Sequence, residues 1–515
     1  MTSLPDEIWQ QIFAELEDHM PLKDWILYGS HLQHKGPAAL RNLSLVSRRF
    51  QRIAQPLLYR TILLEGRSER EGISQGLLLR TLVEDPQFGK QVRVASFNDC
   101  SAFTWNLDNS YKDLVEGGMK KLTLKALRAL DLPPALKRHL RASFASYKVS
   151  FAALHVAFMP RLQFLDCTLT DDRSRLPWIV SGSLGLEKEN LENMRSDSDT
   201  DYESDHEDGS DNDKQQLQSI PKDTFANYGL PHLTEVRLRS QISDSGVTPA
   251  WVIEPILLHP TLKSMRTLGI DWSVSEIHNL KWPNHRSNLE YLDLKESVVD
   301  HAGLESVLTR CPKLRGLSIQ LVDGGREHWP DYDDWTVDLE LFRRALQEYG
   351  RCLEEFDLLI NGYNSMHPID DGRIARLGPL RELSNLRHLK VTMAELLDDP
   401  TLLDEEEHLT FSEALPLSLE TLYLHWDDRY FSAEYYKIRR QGINEEAHNF
   451  LLENKLPNLR EITFERCYNE SEKEIEWPDE LKVDGWDVDV YDEYLWERYH
   501  SVGCMRTIVR LTKKF

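Results

Sequence analysis

The sequence predicts an α/β protein in which a small helical cluster at the amino terminus is followed by an irregular solenoid of strand and helix units, with a parallel sheet on its concave face and helices on its convex face. Three observations predict this. A chain of 515 residues is too long for one ordinary compact core, so several domains or an elongated repeat array are required. Residues 1–65 carry apolar side chains at helical spacing. Beyond them a short Leu-x-x-Leu-x-Leu pattern keeps returning, with amphipathic stretches between its copies.

The helical cluster opens at Leu4-Pro5-Asp6-Glu7, where proline suits a first turn and the two acids suit the positive end of a helix. Ile8, Ile12 and Leu16 then recur four residues apart, and Trp9 and Phe13 widen the stripe beyond what one short helix needs. A second apolar helix is expected from Leu40 to Phe50 and a third piece from Ile53 to Leu58, after an insertion at about 17–38. That insertion holds His19, His31 and His34, whose spacing fits no standard metal motif.

The segments LPDEIWQQIFAEL and LRNLSLVSRRFQRIAQPLLYRTI resemble, in that order, the F-box, in the version common in filamentous fungi. The resemblance implies a module at 1–65 whose helices dock a Skp-type adaptor and, through it, a cullin scaffold that carries ubiquitin-transfer machinery. Carried over by position, Leu4, Pro5, Ile8, Ile12, Leu45, Val46 and Ser47 would face the adaptor, while Phe13, Leu43 and Phe50 would hold the cluster together. Both roles demand the same apolar chemistry, so for each side chain an internal position stays open at this point.

Downstream, the repeated cores are Leu162/Leu165/Cys167, Leu233/Val236/Leu238, Leu289/Leu292/Leu294, Leu314/Leu317/Ile319, Leu353/Phe356/Leu358, Leu386/Leu389/Val391, Leu419/Leu422/Leu424 and Leu459/Ile462/Phe464. A degenerate copy starts at Leu262/Met265, and Gln91-Val92-Arg93-Val94 is a weaker candidate strand. This is the strand signature of leucine-rich repeats, here over 66–469 with uneven first-position spacings of 27, 25, 39, 33, 33 and 40 residues from Leu262 onward. Stretches such as 302–308 and 339–346 have helical spacing and are expected to pack behind the strands.

Strand period two then sorts the side chains. With the leucines inward, Arg237, Arg239, Asp293, Lys295, Ser318, Gln320, Lys390, Thr392, Tyr423, His425, Thr463 and Glu465 point out of the concave sheet, where a protein target would bind. The signal is positional, and any one of them could be simply a solvated strand residue. On this reading Leu422→Ala opens a core cavity, whereas Tyr423→Ala leaves stability nearly unchanged.

Two further segments stand apart by composition. Residues 196–214, SDSDTDYESDHEDGSDNDK, are nearly all acid, serine and small polar side chains, which cannot bury enough apolar surface to offset ordering, so a disordered loop is expected at about 190–218. The tail at 470–515, with Trp477, Trp486, Tyr491 and Trp496, is expected to cap the last repeat.

The formal charge of −24 disfavours nucleic-acid and anionic-membrane partners, because phosphate binding depends on Lys/Arg neutralisation. No stretch approaches the roughly 20 apolar residues of a membrane span, and the amino terminus lacks a basic flank, so a cytoplasmic or nuclear location is expected. The six cysteines lie far apart and no Gly-x-Ser-x-Gly, His-Glu-x-x-His, phosphate loop or dinucleotide fingerprint occurs. No catalytic residue, metal or cofactor is expected. The reading is a substrate-recognition adaptor that links an unidentified protein target to a Skp/cullin ubiquitin ligase, with a non-degradative interaction scaffold as the alternative.

Overall fold

The computed structural model describes residues 4–16, 35–65, 69–98, 121–130, 152–169, 229–240, 247–280, 284–321, 337–360, 376–392, 409–427, 447–468, 483–496 and 503–514, with a few single positions between them. The three histidines of the insertion, the acidic tract at 196–214, Cys100 and Trp477 lie outside the described residues. The chain divides into two compact units, one of Met1–Lys23, Leu32–Val236 and Pro255–Leu262, the other of Asp24–His31, Arg237–Glu254 and Lys263–Phe515.

The first unit begins with three helices, α1 (Asp6–Ala14), α2 (Lys35–Val46) and α3 (Arg48–Leu58). Their shared core is Phe13, Leu40, Ile53, Ala54 and Leu57, with Trp9, Leu16, Leu43, Phe50 and Leu58 packed against it. Trp9, Phe13 and Phe50 meet as an aromatic trio with centroids 4.9 to 5.8 Å apart. The helix expected from Leu40 to Phe50 is in fact two helices, broken at Ser47. There the backbone is extended, and the Ser47 hydroxyl accepts the Phe50 amide at 3.1 Å as the N-cap of α3. One acid ties the ends of the cluster together: Asp6 accepts Arg49 Nε at 2.6 Å and Arg52 Nη2 at 2.9 Å. The Arg49 hydrogen bond leads the effects that hold the Asp6 carboxyl below its usual range.

Directly after α3 the chain enters a parallel sheet, β1 (Thr61–Glu65), β2 (Val94–Asn98) and β3 (Phe164–Leu169), paired in that order. The weak strand expected at Gln91–Val94 starts only at Val94, because Gly89–Gln91 closes a 3₁₀ turn. Behind this sheet α4 (Glu69–Glu84) packs against helix Ala152–Ala157. His155 is fully buried between them. It stacks on Phe97 at 5.4 Å, and its Nε2 lies 3.0 Å from the Gln75 carbonyl.

The strands β4 (Glu235–Ser240, of which Arg237–Ser240 belong to the second unit), β6 (Ser264–Leu268), β8 (Tyr291–Val299), β9 (Gly316–Leu321), β10 (Glu355–Leu359), β11 (His388–Thr392), β12 (Thr421–Asp427) and β13 (Glu461–Tyr468) are neighbours in this order. Every pairing described from β6 to β13 is parallel. The register reproduces the repeated core: Leu292 pairs with Leu317, Leu317 with Phe356, Phe356 with Leu389, Leu389 with Leu422 and Leu422 with Ile462. These side chains are all buried, as is the parallel row Leu294, Ile319, Leu358, Val391, Leu424 and Phe464. Helices His301–Arg310 and Leu339–Tyr349 pack on each other, capped by Asp300 and Asp338 through the amides of Gly303 and Leu341.

Two features go beyond the expected repeat. Strand β8 serves two sheets: Tyr291–Leu294 lies between β6 and β9, while Val298 and Val299 pair with β7 (Ile270–Trp272), which also pairs with β5 (Thr248–Pro249). The change of direction falls at Glu296, whose φ of 44° is left-handed. The tail, in turn, is a β-hairpin of β14 (Trp486–Trp496) and β15 (Gly503–Lys513), and β15 adds antiparallel to β13.

Candidate functional site

Two surfaces emerge from these elements, one in each unit. On the three-helix cluster, α1 turns Phe13 inward, which leaves Ile8 and Ile12 on its outer side. Leu4 precedes them, and the end of α2 adds Leu45 and Val46. Leu4, Ile8, Ile12, Leu45 and Val46 are 44, 39, 45, 77 and 67% exposed, an uncommon concentration of large apolar side chains outside the cluster's core. Pro5 and Ser47 are also exposed, although the Ser47 hydroxyl is engaged in capping α3. Phe13 is buried, and Leu43 and Phe50 are half-buried against the core.

Residues 1–65 match the F-box-like family. No curated protein matches the chain. The exposed apolar patch therefore lies on an F-box-like domain, and F-box domains generally bind Skp-type adaptors within ubiquitin ligase complexes. The proteins that carry them generally act as adaptors rather than as enzymes.

The second surface is the polar face of the sheet in the second unit. One rung of the ladder runs Arg266, Asp293, Ser318, Asp357, Lys390, Tyr423, Thr463 and Arg510 across consecutive strands. The expectation that all twelve outward residues stand on an open surface does not hold. Arg237, Arg239, Thr392, Thr463 and Glu465 are buried, and Asp293, Lys295, Ser318, Gln320, Lys390, Tyr423 and His425 are half-buried. Strands lie only about 4.8 Å apart, so long polar side chains on adjacent strands cover one another.

Glu465 shows how. The Tyr423 hydroxyl donates to it, Arg506 Nη1 donates at 3.2 Å, and His425 Nδ1 lies 3.5 Å away. Burial alone would raise this carboxyl, but His425, Tyr423 and Lys390 together hold it well below the usual range. Lys390 Nζ sits 4.4 Å above the Tyr423 ring. Tyr423 is thus bound into a network, and Tyr423→Ala carries a stability cost that the sequence reading did not assign to it.

Sequence reasoning missed Asp357, Arg266, Arg506 and Arg510 on this face. Asp357 was legible, since it stands between Phe356 and Leu358, both already placed inward. Burial pushes its carboxyl up to about 6, with Lys390 opposing and Asp293 adding to the rise. The two arginines arrive on a hairpin strand that carries no leucine signature.

Among the described residues, no group of three or more His, Cys, Asp or Glu side chains is placed to hold a metal ion, and no helix is long and apolar enough to cross a membrane. Cys311 is buried, and burial pushes its thiol up to about 12, far from a reactive thiolate. Cys352 is exposed.

Proposed function

We propose that the chain is the substrate-recognition subunit of a Skp/cullin ubiquitin ligase. Its F-box-like domain docks a Skp-type adaptor through Leu4, Pro5, Ile8, Ile12, Leu45, Val46 and Ser47. The body is a leucine-rich-repeat solenoid that presents a protein target to the ubiquitin-transfer machinery. Catalysis then comes from proximity and orientation supplied by the complex, with no reacting group from this chain.

The observation that carries this reading is the patch itself. Five large apolar side chains are exposed outside the core of the helical cluster, and burial in an interface would recover about 25 cal/mol per Å² of their exposed surface. On the polar sheet face, the half-buried residues Asp293, Lys295, Ser318, Gln320, Lys390, Tyr423 and His425 are the accessible part of the target-binding surface.

The test is co-purification with a Skp-type adaptor. Val46→Asp places a charge at a solvent-exposed position, so the free chain keeps its fold, but docking would bury that charge at a cost of several kcal/mol. The variant is expected to lose adaptor and cullin while retaining its target. A folded Val46→Asp chain that still co-purifies the adaptor overturns the assignment. Target levels in cells that lack the chain separate a degradative role from scaffolding.

A further inference from the structure

Next to the apolar patch, and independent of its assignment, a groove of about 390 Å³ runs along the outer side of α3. One wall is a single helical stripe, Arg48, Gln51, Arg52 and Gln55, spaced three and four residues apart. The opposite wall is the turn that carries Gln87 and Gln91, and Pro56 and Phe88 supply apolar surface, with Phe88 stacked on Tyr59 at 4.4 Å. Arg52 is shared with Asp6, but Arg48 has no ion-pair partner among the described residues, and the side-chain amides of Gln51, Gln55, Gln87 and Gln91 have no hydrogen-bond partner there either.

The α3 wall of this groove is cationic in an acidic chain, while the opposite turn carries Asp85, which accepts the Gln87 backbone amide. Residues 35–64 contain six cations and no acid, in a protein of net charge −24. Nearby, Arg93 is lowered by burial and by the neighbouring Arg161 and Arg60, a sign of crowded positive charge. We propose that this groove binds an acidic peptide segment of a protein partner in extended conformation. Arg48, assisted by Arg52, pairs with an Asp or Glu side chain. The four glutamine amides, each both donor and acceptor, bond the peptide backbone. From Arg48 to Pro56 the helix rises about 12 Å, which matches about four extended residues at roughly 3.3 Å each.

The peptide's own charge makes the test sharp, because a chain of −24 repels an acidic peptide over most of its surface. Fluorescence anisotropy of the full chain with a labelled oligoglutamate peptide is expected to show saturable binding at low salt that weakens as salt screens the pair. Arg48→Glu is expected to weaken it about tenfold or more, and Gln51→Ala with Gln55→Ala to weaken it further. Arg344→Glu, which reverses an exposed cation in the second unit, is expected to leave binding unchanged. Circular dichroism checks that each variant is folded. Absence of binding at low salt, equal binding of an uncharged oligoglutamine peptide, or indifference to Arg48→Glu in a folded chain overturns the proposal. Tighter binding of a peptide with the sequence of residues 196–214 would overturn the assignment to a partner in favour of the chain's own acidic tract.

Discussion

His155 is a titratable group with no exposed surface. Burial pushes it from 6.5 down to about 4, even though the Gln75 carbonyl favours the charged ring. Its Nδ1 is buried with no hydrogen-bond partner among the described residues, so protonation would place a charge that none of them receives. In the unfolded chain the ring takes its proton near pH 6.5, and in the folded chain only near 4. Between those values the unfolded state binds more protons, so stability is complete above about pH 6.5 and falls as pH is lowered towards 4, by roughly 3 kcal/mol in all. Denaturant melts across this range check the slope, and a His155→Phe variant that folds should lose that part of it. At this scale the sequence was only partly informative. It separated Leu422 from Tyr423 by period, but whether an outward side chain meets solvent or a neighbour such as Glu465 depends on residues about 40 positions away.

Helices and strands were the most legible level. Leu-x-x-Leu-x-Leu placed the cores and their register from β6 to β13, because each copy must set the same two positions inward against the next strand. The break at Ser47 was missed because apolar spacing continues through it, and only the serine's capping role distinguishes two helices from one. The hairpin strand DVDVY alternates with period two, yet its acids and aromatics were read as composition, not as pattern. In the second sheet, β5 and β7 are only two and three residues long, too short to announce themselves. Gly303 offers an element-scale test. A Cβ there would lie 1.7 Å from the Trp272 carbonyl oxygen, so the first turn of helix His301–Arg310 sits directly on β7. Helix propensity alone makes Gly303→Ala stabilising by up to about 1 kcal/mol, whereas the clash makes it destabilising by about 1 to 3 kcal/mol or more. Thermal melts give the sign, and an increase in stability would show that the helix sits further from the strand.

Across the whole molecule, the order of strands follows the order of the chain in each unit until the last three, where β13 is joined to β15 and β14 lies beyond. The hairpin covers the edge of β13 with eight paired positions from Glu461↔Thr512 to Tyr468↔Met505. Removing residues 483–515 is expected to leave those backbone groups open and to turn the chain into an aggregating species, because a bare parallel edge is a template for further pairing. Size-exclusion chromatography checks this, and a monodisperse truncated chain would show that the hairpin is dispensable. The topology also has a consequence in time. As the chain is synthesised, each parallel strand from β8 to β13 meets a neighbour that already exists. Strand β14 does not, since its partner is made after it. From Tyr468 to Gly503, at about 5 to 20 residues per second, the edge of β13 waits roughly 2 to 7 seconds for the strand that closes it.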